Sequence, residues 1–332
     1  MFLASLAITA LLGGTFVPLA AGAPVKLTYS TFFPPTHVQS KLAEAWCKEV
    51  EKKAGGQIKV EYYPGGTLTK ASQIYDGVIQ GLSDIGFCLF AYTPGRFPLM
   101  EAVDLPMGYP DGVAATKVIN AVYEKFKPKE LKDVEVLYLH AHGPGILHTR
   151  GKAVDKLADL AGLKIRTTGF SAKTVKALGG TPVAMPMPEA YPALQKGVVD
   201  GSMHPQEADK GWKLGDVLKY ATLNLSTAYT TGFYVVMNKN KWAALPDGVK
   251  KTILAINKEW IPKHGQAWVE SDEEGQKYFQ SKGGKLIKQA AAESKLWQQK
   301  VRPLLDEFAK EAEKKGVPGK QVVDFTLQIL AK

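Results

Sequence analysis

The stretch Asp159-Leu160-Ala161-Gly162-Leu163-Lys164-Ile165-Arg166-Thr167-Thr168-Gly169, taken with Tyr191-Pro192-Ala193-Leu194-Gln195-Lys196-Gly197-Val198-Val199-Asp200-Gly201, decides how this chain folds. Its first part reads as a short strand over 163–167 carrying a single arginine near its end. Its second part reads as a helix over 188–196 that stops at Gly197, since glycine just past the last periodic residue is a favoured helix stop. A strand over 198–202 and a polar turn follow. Between them lie a helix near 171–177 and a short strand near 181–184. This alternation predicts an open, mainly parallel sheet with helices on each side. In such sheets ligands sit beyond the carboxyl ends of the strands. Arg166 is therefore placed to bind an anion: its planar fork matches a carboxylate with two parallel hydrogen bonds and stays charged at any relevant pH. The rival reading is a structural ion pair with Asp159 or Asp200. No nucleophile with a base and no metal cage stands nearby.

The same alternation extends outward. Lys26–Ser30 alternates as a half-buried strand that Pro34 and Pro35 end. Thr36 is the expected cap of a helix over 38–54, closed by Gly55-Gly56. A strand over 57–63, a helix over 71–81 and an apolar strand over 84–90 follow, with another strand over 134–140. After the second unit, 233–238 reads as a strand returning to the first. A long amphipathic helix over 247–280 is expected to be interrupted at Pro262 and Gly265, and the last helices at 291–315 and 321–330. Two sheets crossed more than once by the chain make an α/β, two-lobed clamp with mixed, mainly parallel sheets flanked by helices and a long helix linking the lobes. The expected division is a signal peptide at 1–23, one lobe from 24–145 plus 234–270, and the other from 146–233 plus 271–332.

At 332 residues the chain exceeds one ordinary core and fits two domains of roughly 100–200 residues. With 45% hydrophobic and 22% charged residues it has a globular composition. Phe2–Ala23 carries no charge and ends in small residues, as a secretory signal does, although no basic residue precedes the apolar run. Gly13, Gly14 and Pro18 argue against the alternative of an uncleaved anchor. The net charge of +10 is spread along the sequence with acids interleaved, as in Lys48-Glu49-Val50-Glu51-Lys52-Lys53, so no nucleic-acid partner is expected. A positive field does draw small anions toward a cleft. Cys47 and Cys88 read as buried free thiols, with a disulfide between them left open.

Further segments complete the pattern: Thr31-Phe32-Phe33-Pro34-Pro35-Thr36-His37, then Tyr63-Pro64-Gly65-Gly66-Thr67-Leu68, then Gly77-Val78-Ile79-Gln80-Gly81-Leu82-Ser83-Asp84-Ile85-Gly86. Later come Val236-Met237-Asn238, Trp242 and Leu245-Pro246. In order and spacing these resemble the substrate-binding protein of a TRAP (tripartite ATP-independent periplasmic) transporter, of the dicarboxylate-binding-protein-like family. The resemblance implies a periplasmic-binding-protein-like fold, capture of a small organic anion, integral membrane TRAP permease subunits as partner, a periplasmic location, and neither cofactor nor enzymatic activity. A monomer is expected. In the family the arginine matching Arg166 grips the ligand carboxylate. His204 stands where the family usually has asparagine; it could donate to an anion and, once protonated, strengthen binding as pH falls from about 8 to 6. Sialic-acid-binding relatives carry a second arginine at the place of Ile146. Its aliphatic side chain favours a monocarboxylate with an apolar or aromatic body. The rivals are a secreted α/β enzyme acting on a carboxylate and a ligand-sensing receptor domain of the same fold.

The remaining candidate contacts are His142, Phe33, His37, Gln73, Phe90, Tyr92 and Phe170, most of them in loops after strands, where ligands sit. His140, His142 and His148 share a strand end, but no acid or thiol is adjacent in sequence, and no metal is expected. Signatures of hydrolases, zinc proteases and phosphate loops are missing.

Overall fold

The computed structural model describes residues 23–331, so all but the last residue of the expected signal peptide lies outside the described residues. The first sheet takes β1 (Val25–Thr31), β2 (Ile58–Tyr63), β3 (Ile85–Leu89), β4 (Val134–Ala141) and, from much later in the sequence, β10 (Gly232–Asn238). Around it pack α1 (Val38–Lys53), α2 (Ile74–Ile79) and α3 (Gly112–Phe126). The second sheet takes β5 (Gly145–Thr149), β6 (Lys164–Thr167), β7 (Thr181–Ala184), β8 (Gly201–Pro205), β9 (Tyr220–Leu223) and β11 (Lys285–Lys288), with α4 (Ser171–Ala177), α5 (Met187–Lys196) and α6 (Glu207–Gly211) between them. After β10 come α7 (Lys239–Ala244), α8 (Asp247–Ser281), α9 (Ala291–Val301), α10 (Pro303–Lys314) and α11 (Gly319–Leu330).

The strand orders are β2-β1-β3-β10-β4 and β11-β9-β5-β8-β6-β7. Each sheet holds one strand that runs against both of its neighbours, β10 in the first and β5 in the second. These two strands follow the two crossings between sheets, 142–144 and 224–231. A third crossing is made by α8, whose 35 residues span roughly 50 Å at 1.5 Å per residue. It packs on α1, α3 and β4 of the first sheet and on α6 and β11 of the second.

Several expectations need correction. The long helix is not interrupted. Pro262 is exposed, and the Lys258 carbonyl that it leaves without an N–H partner lies on the solvent face. Gly265 serves packing: a Cβ there would come within 3.3 Å of Thr116 on α3. The helix expected over 291–315 is instead two, because Pro303 interrupts the hydrogen-bond ladder after Arg302. His37, not Thr36, caps α1 by accepting the Gln39 N–H on its Nδ1. The strand expected over 198–202 runs from Gly201 to Pro205, so His204 belongs to a fully buried strand and not to a polar turn. Not anticipated in the sequence are α3, α6, α7, β5, β9 and β11. At the C terminus α11 returns to α3, with Phe325 against Phe126 at 5.7 Å between ring centroids, so the polypeptide beyond 271 does not stay with the second sheet. Cys47 and Cys88 are buried free thiols. Among the described residues no helix is long and apolar enough to cross a membrane.

Candidate functional site

A narrow cavity of about 30 Å³ lies between the two sheets. The first sheet and its loops bring Phe32, Phe33, Leu89, Tyr92 and Phe233 to it; the second brings Arg166, Thr168, Met187, His204, Glu207 and Trp212; the crossings and α8 add His142, Tyr229, Thr231 and Trp268.

Arg166 is 2% exposed, on the strand β6. Its Nε donates to the Met185 carbonyl at 3.0 Å and its Nη1 to the Met203 carbonyl at 3.4 Å. Two carbonyls thus orient the fork without neutralising it. Neither acid of the rival ion-pair reading reaches it: Asp200 accepts the Lys164 N–H, and Asp159 pairs with Lys152. Among the described residues no carboxylate forms a salt bridge with Arg166. A buried guanidinium left without an anion is costly, so the protein holds a charge that a bound anion would compensate.

The walls are mostly aromatic. Phe32 stacks on Phe33 at 4.3 Å between centroids and, across the cleft, on Trp212 at 5.9 Å. Phe233 packs on Trp268 at 5.2 Å. Tyr229 meets His142 edge-on at 5.5 Å and donates its hydroxyl to the Met203 carbonyl at 3.1 Å. Glycine is required at 145, since a Cβ there would stand 2.2 Å from the Tyr229 ring. Burial raises the Tyr229 phenol to about 12, with Arg166 pulling the other way. Two polar bridges close the cleft: the Met187 N–H donates to the Tyr92 hydroxyl at 2.8 Å, and His37 Nε2 donates to Glu207 Oε2 at 2.9 Å.

Of the residues expected at the site, Arg166, His204, His142, Phe33 and Tyr92 line the cavity. His37 stands behind it, against Phe33 and Trp212, and acts through Glu207. Phe90 is core, packed between Phe97 and Tyr234. Phe170 faces an outer groove beside Phe308, and Gln73 is exposed. Ile146 is buried in β5 and does not line the cavity. Reading missed Glu207, Trp212, Tyr229, Thr231 and Trp268. A signal for Trp268 existed, since Trp260, His264 and Trp268 recur every four residues on one helix face.

His204 lines the cavity with its nitrogens already engaged: Nδ1 with Ser202 Oγ at 2.9 Å and Nε2 near Asp209 Oδ1 at 3.5 Å. Burial, then the neighbouring His148, lower its pKa to about 3, Asp209 opposing them. The ring is therefore neutral between pH 8 and 6, and the expected strengthening of binding over that range is withdrawn. Burial alone would raise Asp209, but His148 and His204 beside it bring the carboxyl below its ordinary range.

His148, His204 and Asp209 bring three potential metal-ligand atoms within 4.8 Å of one another. The two rings stack at 3.9 Å between centroids and 13° between planes. Their in-plane lone pairs run side by side, and an ion about 2 Å from both nitrogens would lie well out of at least one ring plane. The geometry suits a buried hydrogen-bonded cluster better than a metal site. His140 is core, accepting the Trp268 indole N–H at 2.9 Å and stacking on His264.

The family model described as bacterial extracellular solute-binding protein, family 7, matches residues 29–311. A TRAP periplasmic solute-binding protein from Desulfovibrio salexigens, an open complex with the C-terminus of a symmetry mate bound in its ligand-binding site, is 34% identical. It is covered over 96% of its length by 93% of this chain, with a TM-score of 0.81. A marine metagenome TRAP solute-binding protein specific for aromatic acid ligands, in complex with metahydroxyphenylacetate, is 31% identical over 92% of this chain and 98% of that one, with a TM-score of 0.88. A TRAP solute-binding protein from Rhodoferax ferrireducens with copurified benzoate is 28% identical over 92% and 98%, with a TM-score of 0.87.

Proposed function

This chain belongs to the bacterial extracellular solute-binding proteins of family 7, and from that premise we propose that it captures an aromatic organic-acid anion between its lobes, with Arg166 on the carboxylate, and delivers it to an integral membrane TRAP permease. The observation that carries the reading is Arg166 itself, a buried guanidinium without a carboxylate partner in a cavity walled mostly by aromatic rings. Its remaining N–H groups suit a bidentate anion, and the rings suit a flat apolar body. The relatives with benzoate and metahydroxyphenylacetate support the aromatic body; the relative that holds the C-terminus of a symmetry mate in its site supports a carboxylate as the gripped group.

In this reading the protein works as a periplasmic monomer after loss of residues 1–23, and its ligand leaves chemically unchanged. The matched relatives are solute-binding proteins, not enzymes. A thermal-shift screen with benzoate, phenylacetate, mandelate, succinate and glucuronate tests the proposal, with chromatography of the recovered acids. Aromatic monocarboxylates should raise the melting temperature most and be recovered intact. Stabilisation by succinate alone, or a converted acid, overturns it.

A further inference from the structure

One group in the cavity has a fixed hydrogen-bonding sense that the grip on a carboxylate does not use. His142 Nδ1 lies 2.6 Å from the Gly143 carbonyl, an oxygen that can only accept, so Nδ1 carries the proton. The neutral ring then presents Nε2 as a bare acceptor. Burial first, then Arg166, lower the pKa of His142 to about 4, against the Gly143 carbonyl, and keep it in that neutral form near pH 7. Among the described residues no donor makes a hydrogen bond to Nε2, while His142 is 4% exposed and lines the cavity.

Thr231 is a second, independent observation. It is 1% exposed, lines the same cavity, and its Oγ1 has no hydrogen-bond partner among the described residues. In the antiparallel pair of β4 and β10, Gly232 faces Ala141, and His142 and Thr231 are the next residues where each chain leaves the sheet. The Thr230 hydroxyl fixes this junction by donating to the His142 carbonyl. A hydroxyl group answers both atoms, donating to an imidazole nitrogen and accepting from a threonine O–H. A ligand of carbon alone at this spot would leave two buried polar atoms unpaired, a large penalty for the wrong ligand.

Resting on the aromatic-acid reading above, we propose that the ligand carries a hydroxyl group apart from its carboxylate, and that His142 Nε2 and Thr231 Oγ1 select it. Neither residue touches the carboxylate in this arrangement; they set which acid is preferred.

Titration calorimetry on matched acids tests this: benzoate against its 2-, 3- and 4-hydroxy derivatives and 3-methoxybenzoate, and phenylacetate against mandelate and its methyl ether. At least one hydroxy acid should bind tenfold or more tighter than its parent, and the methyl ether should lose that gain because it cannot donate. In His142→Phe the ratio of hydroxy acid to parent should fall to within about threefold. Thr231→Val, nearly isosteric and thus expected to fold, should reduce the ratio by a smaller factor. If acids bind but no hydroxy acid outbinds its parent threefold, or if the ratio survives in both variants, this inference is overturned and the carboxylate reading stands. If no acid binds at all, both fall together.

Discussion

The first sheet and its loops offer the cavity Phe32, Phe33 and Leu89, whereas the second sheet offers Arg166, Thr168 and Glu207. One wall is largely carbon with the half-buried Tyr92 at its edge; the other holds the charge. The carbon wall makes the charge effective, because an ion pair formed away from water is screened far less than one at the surface. Neither wall alone would hold a small anion well: an exposed arginine pairs weakly, and an aromatic slot has no grip on a carboxylate. Two halves that each make part of the site also let binding favour the closed form through contacts available only there.

The largest effect should come from the charged wall. Arg166→Ala removes a charge-assisted pair within a closed cleft and should cost about 2–5 kcal/mol of binding energy, read by calorimetry with the best screened acid. Arg166→Lys should also bind poorly, since a point charge lacks the planar fork. Unchanged affinity in the alanine variant would take the anion grip away from this wall. A smaller effect is expected from the carbon wall. Phe32→Leu loses the stack on Trp212 across the cleft and should weaken an aromatic acid by roughly 0.5–1.5 kcal/mol, and a short aliphatic acid by less. Equal losses for both acids would mean that the ring serves folding and not ligand choice. The smallest effect concerns pH. His142 and His204 have pKa values lowered by burial to about 4 and about 3, so both stay neutral from pH 8 to 6 and affinity should vary by no more than about twofold. A steady gain toward pH 6 would show that one of them takes up a proton with the ligand.

The alternation of strands and helices was legible because it depends on local signals. The strand bearing Arg166 and the helix ended by Gly197, which adopts φ 73°, fall close to where the periodicity put them. What local signals missed depends on packing from distant parts of the sequence. Residues Gly145–Thr149 hold a glycine and two polar side chains, yet they form β5, a buried strand between β8 and β9. Met203-His204-Pro205 looked like a turn because proline and histidine seldom end a buried strand, but Asp209 and Ser202 satisfy the ring there. Trp212 and Glu207 meet the cavity only because α6 turns back toward the first sheet, a placement with no signature in the residues themselves. Pro262 and Gly265 misled in the opposite sense: local helix breakers were overruled by the packing of α8 against both lobes.

That helix has a mechanical consequence. Pro262 lies near the midpoint of α8, inside the stretch from Ile253 to Trp268 that anchors to the first lobe, while Asp272, Gly275 and Phe279 anchor to the second. A rod clamped by a different lobe at each end behaves as a leaf spring. The section between the anchors falls after Trp268, which donates to His140, and before Asp272, which accepts the Glu207 N–H, so it can flex there while both ends keep their packing. The two strand crossings guide such a motion, and the helix supplies a restoring force that acts the same way whichever acid is held.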